Sequence, residues 1–217
     1  MGHERLFDVA GIKSAKKDGF CAIFPPILPA AGRMNIPRLP INYPQGGTIM
    51  ANGPKSQKNL MDAFAGESQA NRKYLAFAKQ ADQEGFTQVA RLFRAAAEAE
   101  TVHAHTHLRV AGGIADTRKN LEEAIAGETH EFKEMYPQMI AEAEQEGSEA
   151  AKRTFSFANT VEQVHAGLYQ KALDTLGTAG EEFDYFVCLV CGHTVERQAP
   201  EKCEVCGAKG SVFIKIV

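Results

Sequence analysis

The pattern Glu-x-x-His occurs twice in this chain, at Glu100/His103 and at Glu162/His165. An α-helix of 3.6 residues per turn places positions i and i+3 on one face, so each pair is a ready chelate. Each is preceded by further glutamates: Glu67 before the first, Glu128 and Glu131 before the second. Five carboxylates turned into an apolar core repel one another strongly unless cations neutralise them. Two helices bearing Glu-x-x-His and two donating Glu make up the ligand inventory of a di-iron or di-manganese carboxylate bundle. A single Glu-x-x-His is most often only a surface pair. Two of them, each with an upstream glutamate in a repeated frame, are not explained that way.

The frame repeats beyond the ligands. A shift of 62 superposes Tyr74 on Tyr136, Glu84-Gly85 on Glu146-Gly147, Glu100 on Glu162 and His103 on His165, whereas Gly66-Glu67 meets Gly127-Glu128 at a shift of 61. The chain therefore reads as two helical hairpins related by pseudo-symmetry, each supplying half of a metal site. Apolar residues at three- and four-residue spacing, with glycines as stops, predict helices near 58–84, 87–111, 118–146 and 149–176. Asp116 or Thr117 is placed to cap the third. Glu131 falls on Ala70 in the repeat, so the fifth carboxylate breaks the symmetry. His107 lies one turn along the ligand face but aligns with Tyr169, and reads as a neighbour of the site or a core residue. His105 and His130 point off the ligand stripe, and Glu98 lacks a histidine three residues on.

Residues 1–55 differ in kind. Six prolines between Phe24 and Pro44 exclude a continuous helix. The apolar patch Phe20–Ala31 carries prolines and a long mixed-charge lead, which argues against a secretory signal. This segment is expected to be a disordered extension without chemistry, with Met50 as an alternative start and Cys21 an incidental thiol. A net charge of -3 points to no nucleic-acid or anionic-membrane partner, and no stretch approaches the roughly 20 apolar residues that span a bilayer.

After a short polar linker, residues 183–217 are rich in β-branched and aromatic residues and carry Cys188-x-x-Cys191-Gly and Cys203-x-x-Cys206-Gly. Four thiolates form a tetrahedral soft site for a single iron or Zn(II). A segment this short cannot hold itself together by burial alone, so a metal staple is expected. Each glycine can relieve crowding where the chain turns its backbone N–H groups onto the sulfurs. Two tight pairs, not thiols spread over the chain, also favour a reducing, cytoplasmic setting.

The segments AFAGESQANRKY, ETVH, AGGIADTRKNL, AGETHEFKEMYP and EQVH, in this order, resemble the rubrerythrin family over about residues 56–217. The resemblance implies a ferritin-like four-helix bundle (56–178) with a small C-terminal rubredoxin-like β domain. It implies that Glu67, Glu100, His103, Glu128, Glu131, Glu162 and His165 bind a di-iron centre, Glu100 and Glu162 as bridges. It further implies that Glu131 exchanges with His103 as one iron moves between redox states, and that Tyr74 and Tyr136 hydrogen-bond the ligand carboxylates. Cys188, Cys191, Cys203 and Cys206 would then hold one iron, zinc being the alternative. Two departures bear on its potential: the second knuckle lacks the frequent proline, and His193 stands where tyrosine is common. The implied activity is that of a non-haem peroxidase reducing hydrogen peroxide to water, fed by a reduced donor protein such as a rubredoxin or its reductase. A homodimer or higher homo-oligomer is implied, one chain's tail approaching the other's di-iron site. A ferroxidase or iron-handling role uses the same ligands and is the alternative.

Overall fold

The computed structural model describes residues 53–216; the N-terminal extension and its start at Met50 lie outside the described residues. Helix α1 (Pro54–Gln83) is followed by α2 (Thr87–Val110), and α3 (Thr117–His130) runs through a π-helical turn (Glu131–Met135) into α4 (Tyr136–Gln145). Helix α5 (Glu149–Asp174) completes the helical part. The limits agree with the periodicity to within a turn. Gly85 and Gly147 end their helices with φ of +83° and +68°, a left-handed conformation that other residues adopt only at a cost. Asp116 caps α3, its Oδ1 accepting from the Lys119 N–H at 2.9 Å.

The helices form two antiparallel hairpins. In the first, α1 lies along α2 through small side chains, with Ala78 and Ala81 facing Ala90 and Ala97, all buried. Asn71 crosses between them, donating to the Ala97 carbonyl at 2.6 Å and to Thr101 Oγ1 at 2.9 Å. In the second, α3 and α4 pack on α5. The repeat is visible in the packing: Tyr74 meets Phe93 at 6.1 Å between ring centroids, and Tyr136 meets Phe155 at 6.3 Å. Alanines fix a close helix-to-helix spacing but bury little apolar area. Val161 is the only helical side chain larger than alanine that is fully buried among the described residues.

The C-terminal part is a three-stranded antiparallel sheet, β1 (Tyr185–Cys188), β2 (Thr194–Glu196) and β3 (Phe213–Ile216), in the order β2-β1-β3. Its buried residues are Cys188, Cys203 and His193, so thiols occupy the place of an apolar core. The sheet rests on α5 of the same chain through β2.

Candidate metal centres

At the tail, the four thiols converge. Cys188 Sγ lies 3.7 Å from Cys206 Sγ, and Cys191 Sγ lies 3.6 Å from Cys203 Sγ. A disulfide would bring sulfurs to about 2.05 Å, whereas thiolates at about 2.3 Å from a tetrahedral ion stand about 3.8 Å apart. The spacing fits a metal. Gly192 and Gly207 follow the knuckles with φ of +84° and +75°, the turn expected from the sequence. Burial raises the Cys191 thiol, and the other sulfurs add to this. At Cys203 burial also raises the thiol, but backbone N–H groups of Cys206 and Val205 outweigh it and the net shift is downward. His193 is buried and holds its pKa below the usual imidazole range for that reason. Neither ring nitrogen has a partner, and the ring packs edge-on against Phe213 at 6.4 Å. It fills the position as an aromatic ring.

In the helices, Glu67, Glu100 and His103 converge, as do Glu128, Glu162 and His165; in each set one ligand atom per residue lies within 4.8 Å of the others. His103 Nδ1 stands 2.9 Å from Glu100 Oε2, and His165 Nδ1 stands 2.8 Å from Glu162 Oε2 and 3.7 Å from Glu128 Oε1. The second set shows its charge clearly. Burial, then repulsion from Glu162 and Glu131, pushes Glu128 up to about 7. Glu131 is raised by burial and by Glu162, with His130 and His165 pulling the other way. Tyr136 is raised by burial and then by Glu131, Glu162 and Glu128, so its hydroxyl stays protonated beside all three. Clustered carboxylates that oppose one another's ionisation are relieved by a bound cation.

Thr194 was not anticipated from the sequence. Its hydroxyl donates to the Gly192 carbonyl at 3.1 Å and lies 2.9 Å from His165 Nε2. With its one hydrogen committed to Gly192, the hydroxyl accepts from His165 Nε2–H. Nδ1 then presents a lone pair to the Glu162 and Glu128 oxygens, an arrangement of acceptors that fits a metal ion between them. Gly192 follows Cys191 directly, so a short bonded path joins the thiol cluster to the histidine. Within this chain the tail reaches the half-site of α3 and α5.

The π-turn was also missed, although a signal existed. Glu67 and Tyr74 are seven residues apart, Glu128 and Tyr136 eight. The slip from 61 to 62 in the repeat is the extra residue that the wider turn accommodates between Glu131 and Met135. It keeps Tyr136 on the Glu128 side and carries Glu131 into the same cluster. Elsewhere His130 pairs with Glu134 at 3.3 Å, and His105 lies with Phe64, Asn71 and Thr101 around a small cleft. Tyr74 packs against Phe77 and Phe93 in the first hairpin.

A mainly helical fold with two Glu/Glu/His clusters and a four-thiol sheet defines a ferritin-like di-iron carboxylate protein with a rubredoxin-like tail. The family model for rubrerythrin matches residues 58–173, and that for the rubrerythrin rubredoxin-like domain matches residues 186–214. The chain is 35% identical over 173 residues to rubrerythrin-2 of Clostridium acetobutylicum, covering 71% of this chain and 92% of that protein. It is 33% identical over 163 residues to nigerythrin of Nitratidesulfovibrio vulgaris, covering 69% and 80%. A solved structure of nigerythrin in a mixed-valence state is 30% identical, covers 79% of this chain and 92% of that one, and gives a TM-score of 0.46. The chain belongs to the rubrerythrin family. These relatives make it a di-iron protein of oxidative stress in a family of oxidoreductases.

Proposed function

We propose that the chain is a peroxidase that reduces hydrogen peroxide to two waters, taking up two electrons and two protons per peroxide. The observation that carries this reading is the bonded contact of Thr194 with His165, which sets an electron-entry site against the carboxylate cluster. Iron storage needs no such entry. A di-iron pair bound by Glu67, Glu100, His103, Glu128, Glu131, Glu162 and His165 would supply electrons and two adjacent Lewis acids. Around it, His165 is held in the Nε2–H form with Nδ1 free to ligate. The Tyr136 hydroxyl, kept protonated, can donate a hydrogen bond or a proton beside Glu128 and Glu131. With a metal pair bound, Glu131 would offer an anionic oxygen and His103 a neutral nitrogen as alternative ligands, so the residues present could limit the change in net charge between oxidised and reduced forms.

Electrons would enter at the iron of Cys188, Cys191, Cys203 and Cys206. Leu189 and Val190, 52% and 55% exposed at the tip of the first knuckle, offer an apolar contact for a reduced donor protein such as a rubredoxin or its reductase. Among the described residues no helix is long and apolar enough to cross a membrane, and four free thiols suit a reducing cytoplasm.

Stopped-flow mixing of the reduced protein with peroxide, and separately with oxygen, tests the assignment. Peroxide should react far faster, and Glu131→Gln should retain iron while slowing the peroxide reaction. Equal rates with both oxidants, unchanged in the variant, would replace the peroxidase by a ferroxidase.

A further inference from the structure

Between α5 and the C-terminal sheet, contact is close at one end and open at the other. Val161, His165, Leu168 and Ala172 recur at helical spacing and form one stripe of α5. At the near end Val161 is 2% exposed, and the Gly192 backbone lies against it, an added Cβ standing 3.8 Å from Val161 Cγ1. One turn on, His165 meets Thr194 at 2.9 Å. A turn further the surfaces part. Leu168 and Ala172 line a cleft of about 510 Å³ whose other walls include the linker after α5, Phe183 and Tyr185. Apolar packing therefore stops just past the contact that joins the two candidate metal sites.

What spans the open end is charged. Lys171 of α5 pairs through Nζ with Glu196 of β2 at 2.5 Å, and the same ammonium lies 5.5 Å from the centre of the Phe183 ring. Arg197 pairs with Glu181 of the linker at 2.8 Å and sets its guanidinium 4.7 Å from the centre of that ring. Phe183 thus receives two cations, each with its own carboxylate, and the group ties helix, linker and strand to one another. Arg197 has φ of +69°, the one left-handed residue other than glycine among the described residues. Such a backbone costs energy for a long side chain. It is held by the Arg197 N–H donating to the Asp184 carbonyl at 2.7 Å, and from it the side chain reaches Glu181 and Phe183.

We infer that Lys171 and Arg197 are positioning residues: through Glu196, Glu181 and Phe183 they clamp the open end of the sheet onto α5, and so hold Thr194 in register with His165 for electron delivery. This rests on electron entry through the four-cysteine site and adds what fixes that site against the helix. Strand β2 is only three residues long, and Thr194 and Glu196, two positions apart, lie on one side of it. A strand so short would swing about the Val161 contact and part Thr194 from His165 unless its far end were tied. All four charged partners reach solvent, with side chains 21–72% exposed. Salt weakens such pairs, so the clamp makes electron delivery depend on ionic strength.

The clamp can be read without turnover. The chain has no tryptophan, so Phe183→Trp places a single fluorescent ring between the cations. In that background Lys171→Met, or a rise in salt from about 0.1 M to about 1 M, should shift the emission to the red and open the ring to acrylamide, and Lys171→Arg should keep the parent spectrum. Electron transfer is followed in the parent chain through the visible band of the four-cysteine iron during peroxide turnover. Lys171→Met and Glu196→Gln should each slow it by about tenfold, and the two together no more than either alone, because both break the same pair. Glycine accepts a left-handed backbone, so Arg197→Gly removes the guanidinium without straining the turn and should slow transfer to a similar extent. Wild-type rates in these variants, single effects that multiply in the double variant, or an emission indifferent to salt would each overturn the clamp. A wild-type visible band that does not return during peroxide turnover would instead strike the electron-entry reading.

Discussion

Thr194 carries a specific burden among the residues of the site. It uses its single hydrogen on Gly192 and its oxygen on His165, which fixes the tautomer of a candidate metal ligand from outside the ligand set. Loss of such a partner typically costs about 10–100-fold in metal affinity or activity. Thr194→Val keeps the shape and the β-branch that suits a strand, but removes the acceptor. We expect an intact fold and a slower transfer of electrons from the tail to the helical site, by about tenfold, with Thr194→Ser restoring most of it. Rapid mixing that follows the visible band of the four-cysteine iron during peroxide turnover gives the rate. An unchanged rate in the valine variant would mean that the contact is only packing.

At the scale of elements, the π-turn is the asymmetric part of a repeated structure. In an ordinary α-helix a tyrosine eight positions after Glu128 would stand about 80° away from the glutamate, against about 20° for one seven positions on. The wider turn absorbs the extra residue, and Tyr136 ends beside Phe155 as Tyr74 does beside Phe93. Lys133 lies inside this turn with its side chain in solvent. Deleting it should return the segment to a regular α-helix like that around Ala70. Helix content by circular dichroism should stay within a few per cent, and two metal ions should still bind through the four repeated carboxylates and two histidines. The reaction with peroxide should slow as much as in Glu131→Gln. A deletion that abolishes helix content would show that the turn is needed for folding and not for placing Glu131.

Across the whole molecule, helical hairpins and tail are held together by different forces. The hairpins rest on alanine packing, aromatic pairs and crossing hydrogen bonds such as that of Asn71. The tail has no apolar core, and its buried positions are two thiols and one imidazole. Its order should therefore depend on the bound metal, in the way that small metal-stapled domains unfold without it. Cys206→Ser should bleach the visible bands and make the tail sensitive to proteases from about Gly180 onward, while helix content and metal in the helices persist. Limited proteolysis with mass spectrometry separates the two. Loss of the helices as well would show that the contact of β2 with α5 is essential to both parts.

The sequence by itself determined what depends on neighbours along the chain. The candidate ligands followed from Glu-x-x-His on a 3.6-residue helix, and the helix limits from glycine stops and an aspartate cap. The thiol cluster followed from the chelate spacing of two Cys-x-x-Cys-Gly knuckles. These are properties of one or two turns, and a repeated frame made them legible twice. Even the π-turn left its mark as a one-residue slip, which only helical geometry converts into a side-chain direction. The tertiary structure alone decided the rest. That Thr194 meets His165, that His193 is buried against Phe213, and that the half-sites stand apart in one chain all depend on contacts between residues far apart in sequence. Such contacts are set by packing between elements. Spacing motifs report which groups can bind a metal; packing between distant elements decides which groups they meet.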